Sequence, residues 1–270
     1  MSGKYCMQVK LCFLAAVIFI ACFGIQADAK IDPATAVGVW LFEEGGGDVA
    51  KDSSNAGNDG EISGPKKWVD GKFGKALEFN GVDVYVEVQS NDSLVLEELT
   101  IVGWAKLDSS QGTRWQSIMM KGQNPRNYLL VVDKDTQKLQ LSITAGAAGA
   151  WKGPIAGPVV TGDKEWHHLA GVIGEKQGLV AYTDGVEVGK QPYAKPSLDA
   201  TPSRMRIGDG SDGGHQAKGL LDEVALFNVA LEADDIETIM KDGLEAALGI
   251  LPVEPQDKLA TMWGKLKTSK

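Results

Sequence analysis

Apolar positions recur at every second residue or fill short runs along most of the chain, and turn-forming clusters separate these segments. Val84, Val86 and Val88 alternate with Tyr85, Glu87 and Gln89, the pattern of a strand with one buried face. Ile101-Val102-Gly103-Trp104-Ala105 is apolar on both faces and predicts a central strand. By this reading strands lie at 37–42, 75–79, 82–88, 99–107, 115–120, 127–133, 138–144 and 166–173. Further strands are predicted at 178–183, 186–191, 203–208 and 218–228. Asn80-Gly81, Asp184-Gly185, Asp209-Gly210 and Asp212-Gly213 tolerate the positive φ of tight hairpins. From Asp234 to about Leu248, Ile236, Ile239 and Met240 share a helical stripe behind an acidic first turn. Successive strands without alternating helices predict an all-β fold, a two-sheet antiparallel sandwich with a short C-terminal helix.

The ends of the chain read differently. Lys4 and Lys10 precede an apolar run from Leu11 to Ile25, and Ala27-Asp28-Ala29 offers small residues before a cut at Lys30. Residues 1–29 are therefore expected to be a secretory signal, too short in its apolar part for a membrane span. Cys22 offers lipidation as an alternative fate, behind a poor version of the usual Leu-rich box. Residues 30–248 form the expected domain and 249–270 a tail, whose Leu259, Met262, Trp263 and Leu266 make a short amphipathic turn or two. The chain is expected to work outside the cytoplasm, secreted or periplasmic, with no membrane span once the signal is cut.

Composition narrows the partners. Lys and Arg number 27 against 36 Asp and Glu, a net charge of −9, so nucleic acid and anionic membranes lack the basic footprint they require. Cys6, Cys12 and Cys22 all lie within residues 1–29, which leaves the expected mature chain without a disulfide or a thiolate ligand. Strict alternation in 218–228 places Asp222 with Leu220, Val224 and Leu226, and Glu223 with Leu221, Ala225 and Phe227. Both faces are apolar, so at least one carboxylate needs a cation or several hydrogen bonds. His167 and His168 are strand neighbours on opposite faces and do not suit one metal ion.

Several phrases in order then carry a resemblance: Val39-Trp40-Leu41-Phe42-Glu43-Glu44-Gly45-Gly46-Gly47, Asp52-Ser53-Ser54-Asn55-Ala56-Gly57-Asn58-Asp59-Gly60 and Gly71-Lys72-Phe73-Gly74-Lys75-Ala76-Leu77. Trp166-His167-His168-Leu169-Ala170, Tyr182-Thr183-Asp184-Gly185 and Gly219-Leu220-Leu221-Asp222-Glu223-Val224 follow. Over about 37–245 the chain resembles the LamG-like jellyroll domains of the concanavalin A-like lectin/glucanase superfamily. The resemblance implies a jelly-roll sandwich, and a structural Ca²⁺ near the joint of the first and last strands. Asp222 is the leading ligand it suggests and Glu43 the next, with oxygens from the turn holding Asp52 and Asn58. Hard oxygen donors suit calcium rather than zinc. The alternative is that Asp222 and Glu223 accept only hydrogen bonds.

Catalysis finds little support. Laminarinases of this superfamily carry three carboxylates on alternate positions of one strand. Here Asp133-Lys134-Asp135 reads as a turn, and Asp222 and Glu223 are adjacent. A nucleophile elbow, a phosphate-cradling loop and an HExxH helix are also missing from the sequence. The expected function is a non-catalytic binding module for glycan, with an extracellular protein partner as the alternative and glycan cleavage as a weaker third. Trp115, Tyr128, Arg126 and Trp151 combine aromatic platforms with planar polar groups and are the candidate ligand-binding residues.

Overall fold

A computed structural model describes residues 31–122, 126–145, 150–153, 155–158, 164–193, 203–210 and 213–250. The expected signal segment, the tail beyond 250, and the side chains of Arg126 and Trp151 lie outside the described residues. In chain order the strands are β1 (Ala36–Trp40), β2 (Val49–Ala50), β3 (Gly60–Ser63), β4 (Lys67–Asp70), β5 (Lys75–Asn80) and β6 (Tyr85–Val88). There follow β7 (Leu99–Leu107), β8 (Trp115–Gly122), β9 (Arg126–Asp133), β10 (Lys138–Ala145), β11 (Ala150–Lys152) and β12 (Ile155–Pro158). β13 (His167–Gly174), β14 (Gly178–Thr183), β15 (Val186–Gln191), β16 (Met205–Ile207) and β17 (Lys218–Phe227) precede helix α1 (Ala233–Leu248).

These strands form two antiparallel sheets. One has eight strands in the order β15-β14-β13-β7-β17-β5-β4, with β1 also paired to β17. The other has nine, in the order β11-β10-β9-β8-β16-β6-β3-β2, with β12 also paired to β10. The inward-facing residues Trp40, Leu77, Phe79, Ile101, Ile118, Leu130 and Leu141 fill the space between the sheets. Each large apolar side chain buried there contributes roughly 1.5–3 kcal/mol. A second apolar layer lies on the outer face of the eight-stranded sheet, where Val102, Val172, Ala225 and Phe227 pack against Ile236, Ile239, Leu244 and Leu248 of α1. The all-β sandwich with one C-terminal helix, expected from the pattern, is the observed architecture.

Three local features depart from the period-two reading. The strand expected from Val82 begins only at Tyr85, because Asn80 Oδ1 accepts bonds from the backbone N–H groups of Val82, Asp83 and Val84 at 2.9, 3.0 and 3.2 Å. β2, β3, β4, β11 and β12 were not predicted. They are short, and backbone pairing rather than an apolar pattern holds them. A bulge at Glu223, which adopts φ 51°, shifts the register of β17 between Asp222 and Ala225. Val224 and Leu226 therefore face the core while Asp222 faces outward, opposite Trp104, and the single face expected for all three is wrong.

Candidate functional site

Asp222 and Glu43 meet at the turn from β4 to β5. Asp222 Oδ2 accepts bonds from Lys72 N at 2.7 Å and Phe73 N at 2.9 Å, while Glu43 Oε1 accepts from Lys75 N at 2.7 Å. A Cβ on Gly71 would stand 2.5 Å from Asp222 Oδ2, and one on Gly74 1.8 Å from Glu43 Oε1. At Gly71 that Cβ would also meet Lys75 O at 2.7 Å, and Gly74 adopts φ 49°, so the backbone of the turn as well as the carboxylates calls for glycine at both ends. Burial, aided by repulsion from Glu223, pushes the Asp222 carboxyl up to about 8. Its Oδ1 is buried with no hydrogen-bond partner among the described residues, a position that suits a neutral carboxyl better than an anion. Glu223 is raised to about 7 by burial and by Glu245 and Glu43. It accepts a bond from Leu244 N, where Gly243 breaks the helical geometry of α1.

Asp52 and Asn58 serve a different joint. Asp52 Oδ1 accepts from Val39 N and Ser54 N, both at 2.8 Å, and Oδ2 from Ser54 Oγ at 2.8 Å and Asn58 N at 2.7 Å. Asn58 Nδ2 donates to Val37 O at 2.6 Å and Ser93 Oγ at 2.8 Å, and its Oδ1 accepts from Asn91 Nδ2. These bonds clamp the 52–58 loop onto β1.

Calcium takes about six to eight converging oxygen ligands. Asp222, Glu43, Asp52 and Asn58 instead direct oxygens at N–H donors in two separate turns. Among the described residues no group of three His, Asp or Glu side chains is arranged to hold an ion. The four residues do not fit one calcium site. Excess chelator is expected to leave the melting temperature unchanged; a fall beyond about 2 °C, reversed by calcium, would contradict this reading.

The expected ligand-binding residues separate in a similar way. Tyr128 is 1% exposed and faces the core with Leu130 and Val132, and its hydroxyl donates to Leu94 O at 3.2 Å. Its ring cannot be a platform, since alternation along β9 turns it inward. Trp115 lies on the other face, half-buried beside Met120, Leu129 and Val131. Arg114 stacks 4.9 Å above its ring and donates to Asp133 Oδ2 at 2.9 Å. Burial disfavours the charged form of Asp133, but Arg114 and the N–H groups of the following turn hold it down at about 2.

One register row crosses this outer face of the nine-stranded sheet: Glu61, Glu87, Arg206, Met120, Leu129 and Ser142. Arg206 is central to it. Nε and Nη2 donate to Glu87 Oε2 at 3.1 and 2.9 Å, and Nη1 to Asp209 Oδ2 at 3.3 Å. Its guanidinium lies 4.0 Å over the ring of Tyr85. Asp209 Oδ1 accepts from Gly210 N at 2.7 Å and His215 N at 3.3 Å, and Ser117 N donates to His215 O at 2.9 Å. This chain of contacts joins Tyr85 to the strand of Trp115. Two half-buried aromatics, each under a guanidinium and flanked by carboxylates, thus share one face. Sequence reasoning missed Tyr85, Glu87, Arg206 and Asp209. The polar side of the β6 alternation was the local signal for Tyr85 and Glu87, whereas Arg206 and Asp209 lie on β16 and in the turn after it.

A model of the concanavalin A-like lectin/glucanases superfamily matches residues 80–237. The chain belongs to this superfamily. Its fold resembles the binding domain of Paraclostridial Mosquitocidal Protein 1, with a TM-score of 0.63 and 14% identity over 77% of this chain and 52% of that one. Domain 4 of AbnA, an extracellular arabinanase from Geobacillus stearothermophilus seen with arabinotriose, gives 0.60 and 20% over 77% of this chain and 99% of that domain. The binding domain of botulinum neurotoxin DC, in complex with rat synaptotagmin II, gives 0.58 and 11% over 78% and 52%. The chain spans about half the length of both toxin domains. At these identities the likeness shows the fold of this superfamily member. The search of curated proteins gave no significant match.

Proposed function

We propose that this member of the superfamily is an exported, non-catalytic binding module that recognises carbohydrate on the outer face of its nine-stranded sheet. The observation that carries the reading is the Tyr85–Arg206–Glu87–Asp209 cluster, joined through His215 and Ser117 to β8, the strand whose Trp115 stacks with Arg114. Guanidinium and carboxylate groups supply directional bonds to sugar hydroxyls, and the half-buried rings add apolar surface beside the guanidinium groups stacked on them. Domain 4 of AbnA, a similar fold seen with arabinotriose, supports the ligand class. A protein receptor is the second reading, favoured by the toxin domain seen with synaptotagmin II. Among the described residues no helix is long and apolar enough to cross a membrane.

The test is a glycan array that includes arabino-oligosaccharides, probed with residues 30–270. Binding to one sugar class without release of product is expected. Trp115→Ala is expected to weaken that binding about 30-fold, the effect of a central aromatic contact. Full binding by Trp115→Ala would remove this face from the site, and silence across the array would move the weight to a protein partner.

A further inference from the structure

A cleft opens on the eight-stranded sheet. Its volume is about 310 Å³, at the lower end of the range for small-ligand sites, about 300–1,000 Å³. Lys106, Lys164, Lys218, Glu78, Asp108 and Leu220 stand around it. Glu78, Leu220 and Lys106 form one register row across β5, β17 and β7. The groups therefore stand on a paired sheet.

The two carboxylates are already satisfied. Glu78 accepts from Lys67 Nζ at 2.6 Å, and Asp108 Oδ2 lies 3.3 Å from Lys164 Nζ. Lys106 and Lys218, both half-buried, have no carboxylate partner among the described residues. Elsewhere Lys51, Lys75 and Lys241 each sit against an acid, as a net charge of −9 makes easy. Among the described residues Lys72, Lys138 and Lys190 also lack a carboxylate partner, but all three are exposed, whereas Lys106 and Lys218 are half-buried around one cleft. The stem of Lys218 is also held in place: its backbone N–H donates to Gln116 Oε1 at 3.1 Å, and its Cβ abuts Gly81 and Gly112, where a Cβ would come within 3.1 and 3.2 Å.

We infer that this cleft is an anion site that takes a sugar bearing a tetrahedral oxyanion ester, sulfate or phosphate. Lysine ammonium groups are compact point charges, suited to the oxygens of a tetrahedral anion approached from several directions. A planar carboxylate is better matched by the fork of arginine. Leu220 supplies an apolar wall for the sugar ring.

The test is calorimetric titration of residues 30–270 with N-acetylglucosamine 6-sulfate, N-acetylglucosamine 6-phosphate and the parent sugar. One or both esters are expected to bind at least about tenfold more tightly than the neutral sugar, and the two arms tell sulfate from phosphate. Binding should weaken with salt and fall at least about tenfold in K106Q/K218Q. Trp115→Ala should leave it unchanged, which separates this site from the face on the other sheet. Should the double variant fail to fold, protection of Lys106 and Lys218 from acetylation by the bound ester, read by mass spectrometry, gives the same answer. Equal affinity for all three sugars, absence of ester binding at 10 mM or roughly thereabouts, or full binding by K106Q/K218Q would overturn the inference.

Discussion

Wild-type protein is expected to be less stable at pH 8 than at pH 6.5 by roughly 2 kcal/mol, and Asp222→Asn is expected to abolish most of that difference. The Asp222 carboxyl rises to about 8 in the folded chain, with burial as the main cause, against about 3.9 when unfolded. Between these values the unfolded chain releases its proton while the folded chain keeps it, so each rise in pH favours unfolding. The stabilisation is complete below about pH 4 and lost as pH climbs through about 8. Glu223 acts with the same sign up to about 7. His168, buried against Trp104 and lowered to about 4, has the opposite sign: it loses stability as pH falls from about 6.5 to 4. Below pH 6.5 these effects oppose each other, so the interval above it isolates the carboxyls. Urea unfolding at the two pH values measures the difference. A flat wild-type profile would mean that Asp222 is ionised against a cation. Asp222→Ala should cost more than the amide, about 2–4 kcal/mol, because Lys72 N and Phe73 N then lose their acceptor.

Removing the Asp52 side chain should be comparably damaging. Asp52→Ala deletes the acceptor for Val39 N, Ser54 N, Ser54 Oγ and Asn58 N together. A loss of about 3 kcal/mol is expected, or roughly 6–12 °C in melting temperature for a domain of this size. Chelator should not mimic it. A melt within about 1 °C of wild type would show that the clamp on β1 carries little of the stability.

Both predictions concern residues conspicuous in the sequence, and the structure explains why they are. Trp40, Glu43, Asp52, Asn58, Gly71, Gly74 and Asp222 belong to the phrases that resemble the superfamily, yet together they tie turns to strands. Trp40 Nε1 donates to the backbone oxygen of Asn58 at 3.0 Å, and Asp222 and Glu43 occupy the space that Gly71 and Gly74 leave open. Such joints use particular residue types at fixed spacing because backbone donors in tight turns need acceptors at fixed places. They mark the fold, which is why they were legible.

Local pattern was sufficient for the strands of the core, for α1 and for the class of the fold, because period-two and period-3.6 burial are properties of neighbouring residues. Tertiary structure alone decided the rest. A positive φ at Glu223 reversed the faces of β17, and alternation with an odd start turned Tyr128 inward. Tyr85, Glu87, Arg206 and Asp209 became one cluster only through the pairing of β6 with β16, strands more than a hundred residues apart. Lys106 and Lys218 likewise share a cleft through the register of β7 and β17. Sites of this kind arise from long-range strand register, and register is set by packing across the whole sandwich rather than by any short run of sequence.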